Sequence, residues 1–328
     1  MRLLDQVAQC SHPLLVLQDH GAMARLTSPA DFANQLKACP LRYVLDDDLV
    51  AGCTALAYSD GDQLVGCLDL LHVPATRLWI EWNEPPRREQ LARMPLWRDC
   101  AGTVLRAGVL ISTDGAGRSA SLRTFWTTRQ APEEPCVASV ETLLDLDRPG
   151  EGACADRLLD GEAVSLHTSV NVQVNRLLQC ARFRLDPAWQ QYYREHSGAC
   201  DVAATVRQSL AAVASDLPML LGFFLLLAVR ASLAEIPVQL TRLNRKRARL
   251  GKKLLLEHIE VSSPLFAGAA GWPAGEEGPS GRNNPRYHHV RGHLVRRLGT
   301  VYWRAPHWRG HVKLGSVRTR TVELRASR

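Results

Sequence analysis

A run of thirteen residues without a charge, Leu217–Val229, constrains the fold of this chain more than any other segment. A membrane-spanning helix needs about 20 apolar residues, and Asp216 and Arg230 close this run before it reaches that length. Pro218 suits the first turn of a helix, with Ser215 or Asp216 as its N-cap. We therefore predict a helix buried on most sides at the centre of a globular fold, and no membrane partner.

The segments on either side of this run carry both strand and helix patterns. Hydrophobic residues make up 46% of the chain, which is enough to bury a core. The turn sequence Asp114–Gly117 lies between two runs of strand formers, as in a hairpin. The predicted strands are Arg77–Trp82, Val104–Ser112, Ala120–Thr127 and Cys136–Leu146, and the predicted helical segments are Val170–Phe183, Val202–Ile236 and Val238–Leu256.

These patterns predict an α+β fold: a mostly antiparallel N-terminal sheet with helices on one side, central buried helices, a basic C-terminal helix and a β-hairpin. The expected regions are an α+β sheet domain (1–150), a helical region (151–237), a basic helix and strand (238–265), a flexible linker (266–285) and a basic β-hairpin module (286–328). The linker is inferred from the glycines, prolines and acidic residues of Ala267–Pro285.

Charge is distributed very unevenly along the chain. Residues 242–328 carry 19 Lys or Arg against 5 Asp or Glu, whereas residues 1–241 carry 21 against 28. A basic tail on an acidic body indicates a partner with phosphates or a dense acidic face. The alternative is that the tail packs on the acidic body of its own chain.

The nine cysteines show neither CxxC spacing nor clustering. They predict reduced, mostly buried thiols in a cytosolic protein. The first residues lack the apolar stretch of a signal peptide, so we expect a cytoplasmic location in the host cell.

Six of the seven cations in the predicted basic helix recur at steps of three and four residues. This spacing places them on one broad face, with a partial stripe of leucines elsewhere. Repulsion among the cations favours an anionic partner over a merely solvated face. The six cations are Arg242, Arg245, Lys246, Arg249, Lys252 and Lys253, and the leucines are Leu240, Leu243, Leu250 and Leu254.

A five-residue pattern, His-x-Arg-Gly-His, occurs twice near the C-terminus. Its copies span residues 289–293 and 307–311, with strand-like flanks and Gly299 between them. If each copy lies on one strand and the strands pair, four histidines and two arginines line one surface beside tryptophans. We expect binding contacts from Arg291, Arg297, Trp303, Trp308 and Arg309.

Several uses of this surface remain open. Arginine and aromatic side chains bind RNA phosphates and bases. Two of His289, His293, His307 and His311 would instead serve as general base and acid in metal-free RNA cleavage. A zinc site is less favoured, because arginines interleave with the histidines and no cysteine or carboxylate is near. The fourth use is structural packing, in a scaffold protein with a solvated basic tail.

Other motifs of catalysis or cofactor binding are missing from the sequence. It has no Walker A sequence, HExxH or GxSxG, so we expect no cofactor and no metal. Glu81 and Asp69 are isolated acids in apolar surroundings, and we expect a structural role for them.

The second half of the chain resembles a family of phage and mobile-element proteins that includes a large type V-A anti-CRISPR protein. The resemblance rests on the basic stretch Arg242–Lys252, the linker and the terminal His-Arg-Gly-His strands. The aromatic strand Pro74–Trp82 and the apolar helix Leu217–Ile236 occur in similar order. This chain has a single arginine before Gly292, where the family pattern has two.

The resemblance implies a regulator or anti-defence protein, since the anti-CRISPR member lowers production of the Cas12 effector. Such a protein is expected to recognise a host or defence-system protein and to contact RNA or a ribonucleoprotein, including ribosome-associated ones. It would thereby lower expression of its target. The resemblance therefore favours a binding protein over an enzyme. If the chain is an enzyme, we expect an endoribonuclease.

Overall fold

The structure is a computed structural model that describes residues 1–10, 14–18, 23–27, 31–59, 64–92, 103–148, 157–158, 161–165, 176–195, 209–229, 231–266, 286–290, 293–297, 300–304, 307–309 and 311–316. Most of the predicted linker, 267–285, lies outside the described residues, and so does Arg291. The chain is divided into two compact units, Met1–Ala274 and Gly275–Arg328.

In the first unit, the residues that the structure describes form helices and ten strands. The helices are α1 Leu3–Gln9, α2 Phe32–Lys37, α3 Asp47–Ser59, α4 Glu84–Ala92, α5 Pro187–Glu195, α6 Leu217–Ala228 and α7 Thr241–Arg249, with a 3-10 turn at Leu68–Leu70. The strands are β1 Leu14–Gln18, β2 Met23–Thr27, β3 Leu41–Leu45, β4 Arg77–Asn83, β5 Val104–Thr113, β6 Ser119–Thr128, β7 Cys136–Asp145, β8 Ala181–Leu185, β9 Ala234–Val238 and β10 His258–Ser262.

These ten strands form one sheet in the order β2-β1-β7-β6-β5-β4-β3-β10-β9, and β8 also pairs with β7. Most neighbours are antiparallel, whereas β1–β7, β3–β4 and β3–β10 are parallel. The predicted strands at β4 and β7 and the β5–β6 hairpin are confirmed, and the fold is α+β as predicted.

Helices cover both faces of the sheet, so the expectation of helices on one side is wrong. Tyr43 of β3 contacts Phe223 of α6, with ring centroids 5.8 Å apart. Phe125 of β6 contacts Phe32 of α2, with centroids 5.0 Å apart. Tyr43 aligns with Ile80 of β4. Phe125 aligns with Gly108 of β5, which in turn aligns with Glu81 of β4. Because adjacent strand residues face opposite sides, the two helices lie on opposite faces.

The apolar run forms α6 as predicted, and every residue from Leu217 to Leu226 is buried. It packs closely on α3, since a Cβ on Gly222 would lie 3.0 Å from the backbone oxygen of Cys53. Pro218 occupies the first turn, but neither predicted residue caps the helix. Asp216 makes no capping hydrogen bond, and the Ser215 hydroxyl donates to Ala212 O.

A buried ionic cluster takes Asp216 away from capping. Arg87 of α4 lies between two carboxylates, with Nη2 2.7 Å from Glu84 and 2.9 Å from Asp216. Its Nη1 donates to Ser215 O at 2.8 Å, and Trp82 Nε1 donates to Glu84 at 2.8 Å. The cluster therefore joins β4 and α4 to the start of α6.

The region 151–237, predicted to be helical, contributes two strands to the sheet. β8 pairs with β7, so the helical prediction for Val170–Phe183 is wrong at its end. β9 pairs with β10 at the sheet edge. Pro237 is tolerated there because an edge strand has no neighbour on its outer side that requires a backbone N–H donor. The regions 1–150, 151–237 and 238–265 thus share one compact unit.

One helical stretch, Ser209–Ala228, is long and apolar enough to cross a membrane. Most of it, 83%, is buried inside the protein, and a core helix of a soluble protein can be equally long and apolar. The stretch is therefore weak evidence for a membrane span.

The described residues of the second unit form five strands. They are β11 Arg286–Val290, β12 His293–Arg297, β13 Thr300–Arg304, β14 His307–Arg309 and β15 His311–Ser316. A three-stranded sheet has the order β14-β11-β15, and β12 pairs with β13 as the predicted hairpin.

Candidate nucleic-acid interface

The basic segment folds as a nine-residue helix, α7, and not as the predicted helix over Val238–Leu256. It ends at Arg249, and the chain turns at Gly251, whose φ of 63° favours glycine. Gly251 N donates to Ala248 O at 3.0 Å and Lys252 N donates to Arg247 O at 2.9 Å. This is the Schellman arrangement, which satisfies the last carbonyls and reverses the chain.

The chain after Gly251 returns along one face of α7. The side chain of Asn244 accepts from Leu255 N at 2.9 Å and donates to Leu255 O at 2.8 Å. Arg247 Nε donates to Lys253 O at 2.8 Å. Asn244 and Arg247 are half-buried, so they mark the packed face of the helix.

The returning segment is also attached to α1. Lys253 Nζ donates to Gln9 O at 2.7 Å, and Gln9 Nε2 donates to Leu254 O at 3.2 Å. Asp5 Oδ1 accepts from Leu256 N at 2.8 Å. These bonds fix α7 to the body of the first unit through residues distant in sequence.

Four cations lie on the face of α7 opposite Asn244 and Arg247. At 100° per residue, positions 242, 245, 246 and 249 fall within one arc of about 100°, centred away from the packed face. All four are exposed, and no described carboxylate lies within ion-pair distance of them. We call this set the cationic face: Arg242, Arg245, Lys246 and Arg249.

The other two predicted cations follow the helix. Lys252 is exposed in the returning segment. Lys253 is exposed too, but its ammonium is engaged by the Gln9 carbonyl. The structure therefore separates Lys253 from the cationic face.

Large apolar side chains of α7 and of the segment that follows it are exposed. Leu243, Leu250 and Leu254 are 44%, 60% and 55% exposed. The predicted leucine stripe is thus largely a surface feature, since the packed face of α7 is formed by polar residues.

The terminal pentads are each divided between two strands, so the prediction of one strand per pentad is wrong. His289 lies in β11 and His293 starts β12, while His307 and Arg309 lie in β14 and His311 starts β15. The register aligns His289 with Trp308 and Val290 with His307. The three-stranded sheet therefore contains three of the candidate histidines, and His293 lies in the hairpin, aligned with Arg304.

The hairpin carries two further predicted residues. Arg297 is exposed and aligned with Thr300, and Trp303 is half-buried and aligned with Leu294. Arg304 and Tyr302 are exposed on the same strand, and Tyr302 is 43% accessible. The hairpin thus presents arginine and aromatic side chains together.

An acidic cleft that no sequence pattern predicted lies at the carboxyl ends of the parallel strands β3, β4 and β10. Its volume is about 610 Å³, and its lining includes Asp46, Asp47, Asp48 and Glu260 with Arg2. Burial, followed by the neighbouring Asp48 and Asp47, raises the pKa of Asp46. The run of three aspartates directly after β3 was the available signal.

Glu81, at the base of this cleft, is a structural residue as predicted. It accepts from Leu3 N at 2.9 Å and Leu4 N at 2.8 Å, the first amides of α1. Burial raises the pKa of Glu81, against the opposing effect of these hydrogen bonds and of Arg106.

Among the described residues, no group of three or more His, Cys, Asp or Glu side chains is placed to hold a metal ion. Of the cysteines that the structure describes, Cys39, Cys53, Cys67, Cys136 and Cys180 are buried. Burial raises the pKa of Cys180 to about 11, which keeps this thiol protonated at neutral pH.

The chain matches no protein-family model, no curated protein and no solved structure. The resemblance to phage and mobile-element proteins therefore stays a prediction, and a function has to be inferred from the residues themselves.

Proposed function

We propose that this chain is a phage or mobile-element regulator that contacts RNA or a ribonucleoprotein through its basic C-terminal region. The observation that carries the proposal is the cationic face of α7. Four cations gather on one exposed side of a helix whose opposite side is held by Asn244 and Arg247. Their mutual repulsion is relieved by a polyanion, and phosphates supply such charge.

The hairpin supports RNA over an acidic protein as the partner. Arg297, Arg304 and Tyr302 are exposed there. Guanidinium groups hold phosphates and stack on bases, and aromatic rings stack on unpaired bases. In this proposal the acidic part of the chain recognises a host or defence-system protein in the cytoplasm, and RNA contact lowers expression of that target.

The test is crosslinking of the tagged full-length chain to RNA in expressing cells, followed by sequencing of the RNA and identification of co-purified proteins. The informative variant is Arg242→Gln/Arg245→Gln/Lys246→Gln/Arg249→Gln. A matched control removes four exposed cations elsewhere, in Lys37→Gln/Arg129→Gln/Arg148→Gln/Arg182→Gln. We expect RNA recovery to fall at least tenfold in the first variant only. Equal recovery from both variants would contradict the proposal.

A second candidate is a metal-independent endoribonuclease, favoured by the strand order of the C-terminal sheet. The strands β11, β14 and β15, which contain His289, His307 and His311, belong to one sheet. In the β11–β14 pairing Arg309 aligns with His288 and His307 with Val290, whereas His289 aligns with Trp308. Imidazole and guanidinium groups are suited to proton transfer and phosphate binding. This function requires RNA cleavage in EDTA with a bell-shaped pH profile that His311→Ala abolishes. RNA that is bound but never cleaved would exclude it.

A further inference from the structure

A second cavity lies where the start of α1 meets β9, α7 and β10. Its volume is about 450 Å³, within the range of small-molecule sites. Three aliphatic side chains form part of its wall: Val238, Leu240 and Leu255, all half-buried. Two guanidinium groups, Arg2 and Arg247, line it as well.

After Asp5, the most buried polar group in the lining is the imidazole of His258, and one of its nitrogens has no hydrogen-bond partner among the described residues. His258 is 7% exposed, and its Nδ1 is 3.1 Å from Leu256 O. A carbonyl only accepts, so Nδ1 carries the proton of the neutral ring and Nε2 is an acceptor. Nε2 is buried and has no hydrogen-bond partner in the described part of the chain. A buried acceptor of this kind costs stability unless a donor reaches it.

Asp5 is the second buried polar group of the cavity, at 5% exposure. Its Oδ1 accepts from Leu256 N, and its Oδ2 makes no hydrogen bond to a described residue. Burial raises the pKa of Asp5, against the lowering effects of the Leu256 amide, His258 and the two arginines.

The arginines differ in how far they are engaged. Arg2 pairs with Glu260. Arg247 uses Nε for Lys253 O, and its terminal nitrogens make no hydrogen bond to the residues described. Arg247 therefore retains two terminal nitrogens with which to bind an anionic group, as guanidinium groups commonly do.

A ligand for this cavity must combine three properties. It needs an anionic group for Arg247, donor groups such as hydroxyl or amino for Asp5 and His258 Nε2, and a flat apolar body for the aliphatic walls. A simple anion leaves the aliphatic walls unused and meets the Asp5 carboxylate, and an apolar ligand leaves the polar groups unpaired. A nucleotide has all three.

We propose that this cavity binds a nucleotide, with the phosphate on Arg247 and the ribose or base donors on Asp5 and His258. The chemistry is the same for a free nucleoside monophosphate and for the terminal nucleotide of an RNA chain. The cavity lies on the packed side of α7, so this site is distinct from the cationic face and does not require it.

The test is calorimetric titration of the full-length chain with AMP, GMP, CMP and UMP, and with the four nucleosides and inorganic phosphate as references. We expect at least one monophosphate to bind with a Kd below about 1 mM, and its nucleoside and phosphate to bind at least tenfold more weakly. Failure of all four monophosphates to bind would overturn the proposal.

Two pocket variants and a matched control locate the binding. Leu240→Trp fills the cavity, and Gln239→Trp places the same ring on the neighbouring exposed residue. His258→Leu removes the unpaired nitrogen together with the Nδ1 hydrogen bond to Leu256 O, and in the folded variant the affinity should fall at least tenfold. Equal affinity in Leu240→Trp and Gln239→Trp, or wild-type affinity in folded His258→Leu, would overturn the proposal.

Short RNAs that differ only in a terminal phosphate distinguish the two sources of the nucleotide. If the terminal nucleotide of RNA is the ligand, a 5′- or 3′-phosphate increases affinity, and Leu240→Trp abolishes the increase. If a free nucleotide is the ligand, a monophosphate binds and the RNA ends make no difference. Replacing the cationic face by glutamine should weaken RNA binding and leave mononucleotide affinity unchanged, which separates this proposal from the function proposed above.

Discussion

The side chain of Asn244 pairs with the backbone of Leu255 in both directions, donating to its oxygen at 2.8 Å and accepting from its amide at 2.9 Å. Together with the bond from Arg247 Nε to Lys253 O, this pair fixes which side of α7 is packed and which is exposed. A helix with no buried residue would otherwise have no fixed orientation, because it has no apolar face against the core.

Asn244→Ala should therefore destabilise the first unit. The Leu255 amide and carbonyl both lose their partner, and each half-buried polar group left unpaired costs about 1–3 kcal/mol at most. Urea unfolding measures the change. Arg245→Ala, one residue further on the exposed face, should stay within about 0.5 kcal/mol of wild type. Equal effects of the two substitutions would mean that Asn244 does not orient the helix.

Arg87→Met should destabilise the first unit more than Asn244→Ala does. It leaves the carboxylates of Glu84 and Asp216 buried without their guanidinium partner, and breaking a buried pair costs about 3–5 kcal/mol. Burial lowers the pKa of Arg87, but Glu84 and Asp216 outweigh burial and raise it overall, so the guanidinium is always charged. Adding Asp216→Asn to Arg87→Met should recover part of the loss in urea unfolding. No recovery would contradict this account of the cluster.

Asp216 should make stability depend on pH. Burial, followed by the nearby Glu84 carboxylate, raises the pKa of Asp216 to about 7, against the lowering effects of Arg87 and Thr124. A carboxyl with a raised folded-state pKa binds its proton more tightly when folded, so its contribution is full below its unfolded pKa and is lost as pH rises through about 7.

The difference in unfolding free energy between wild type and Asp216→Asn isolates this contribution. As the pH rises from about 4 to about 7, the variant should gain stability relative to wild type by up to about 1.4 kcal/mol per pH unit. A difference that is constant across this range would show that Asp216 titrates normally in the folded protein.

Glu81→Gln should weaken the attachment of α1. The carboxylate accepts from the amides of Leu3 and Leu4, whereas a glutamine offers one accepting atom and a donating NH₂ group. We expect a loss of about 1–3 kcal/mol and faster amide hydrogen exchange in α1. Glu235→Gln, on the exposed β9 strand, is the control and should change neither quantity. Unchanged exchange in Glu81→Gln would exclude the anchoring role.

Local sequence patterns predicted the elements whose own residues decide their structure. The charge-free run formed α6, and the runs of strand formers on either side of Asp114–Gly117 formed the β5–β6 hairpin. Pairing between distant segments was not predictable in this way. The helical prediction was wrong at β8 because local spacing is ambiguous in short apolar runs, and the strand structure of β8 follows from pairing with β7.

The candidate site was also predictable only where local sequence decides the geometry. Helical spacing placed Arg242, Arg245, Lys246 and Arg249 on one face, because the positions depend only on helix geometry. The end of α7 depended on the positive φ of Gly251, which the spacing of the cations does not indicate. The cavity beside Asp5 and His258 joins residues more than 250 positions apart, and no local pattern indicates such a meeting.

The salt dependence of RNA binding tests the central claim most directly. The slope of log Kobs against log salt counts the phosphates that a protein neutralises, at about 0.7 per contact for a single strand. Replacing all four residues of the cationic face by glutamine should reduce the steepness of the slope by about 3 units, and the Lys37/Arg129/Arg148/Arg182 control should keep the wild-type slope. Identical slopes for all three proteins would contradict the proposal that this face binds RNA.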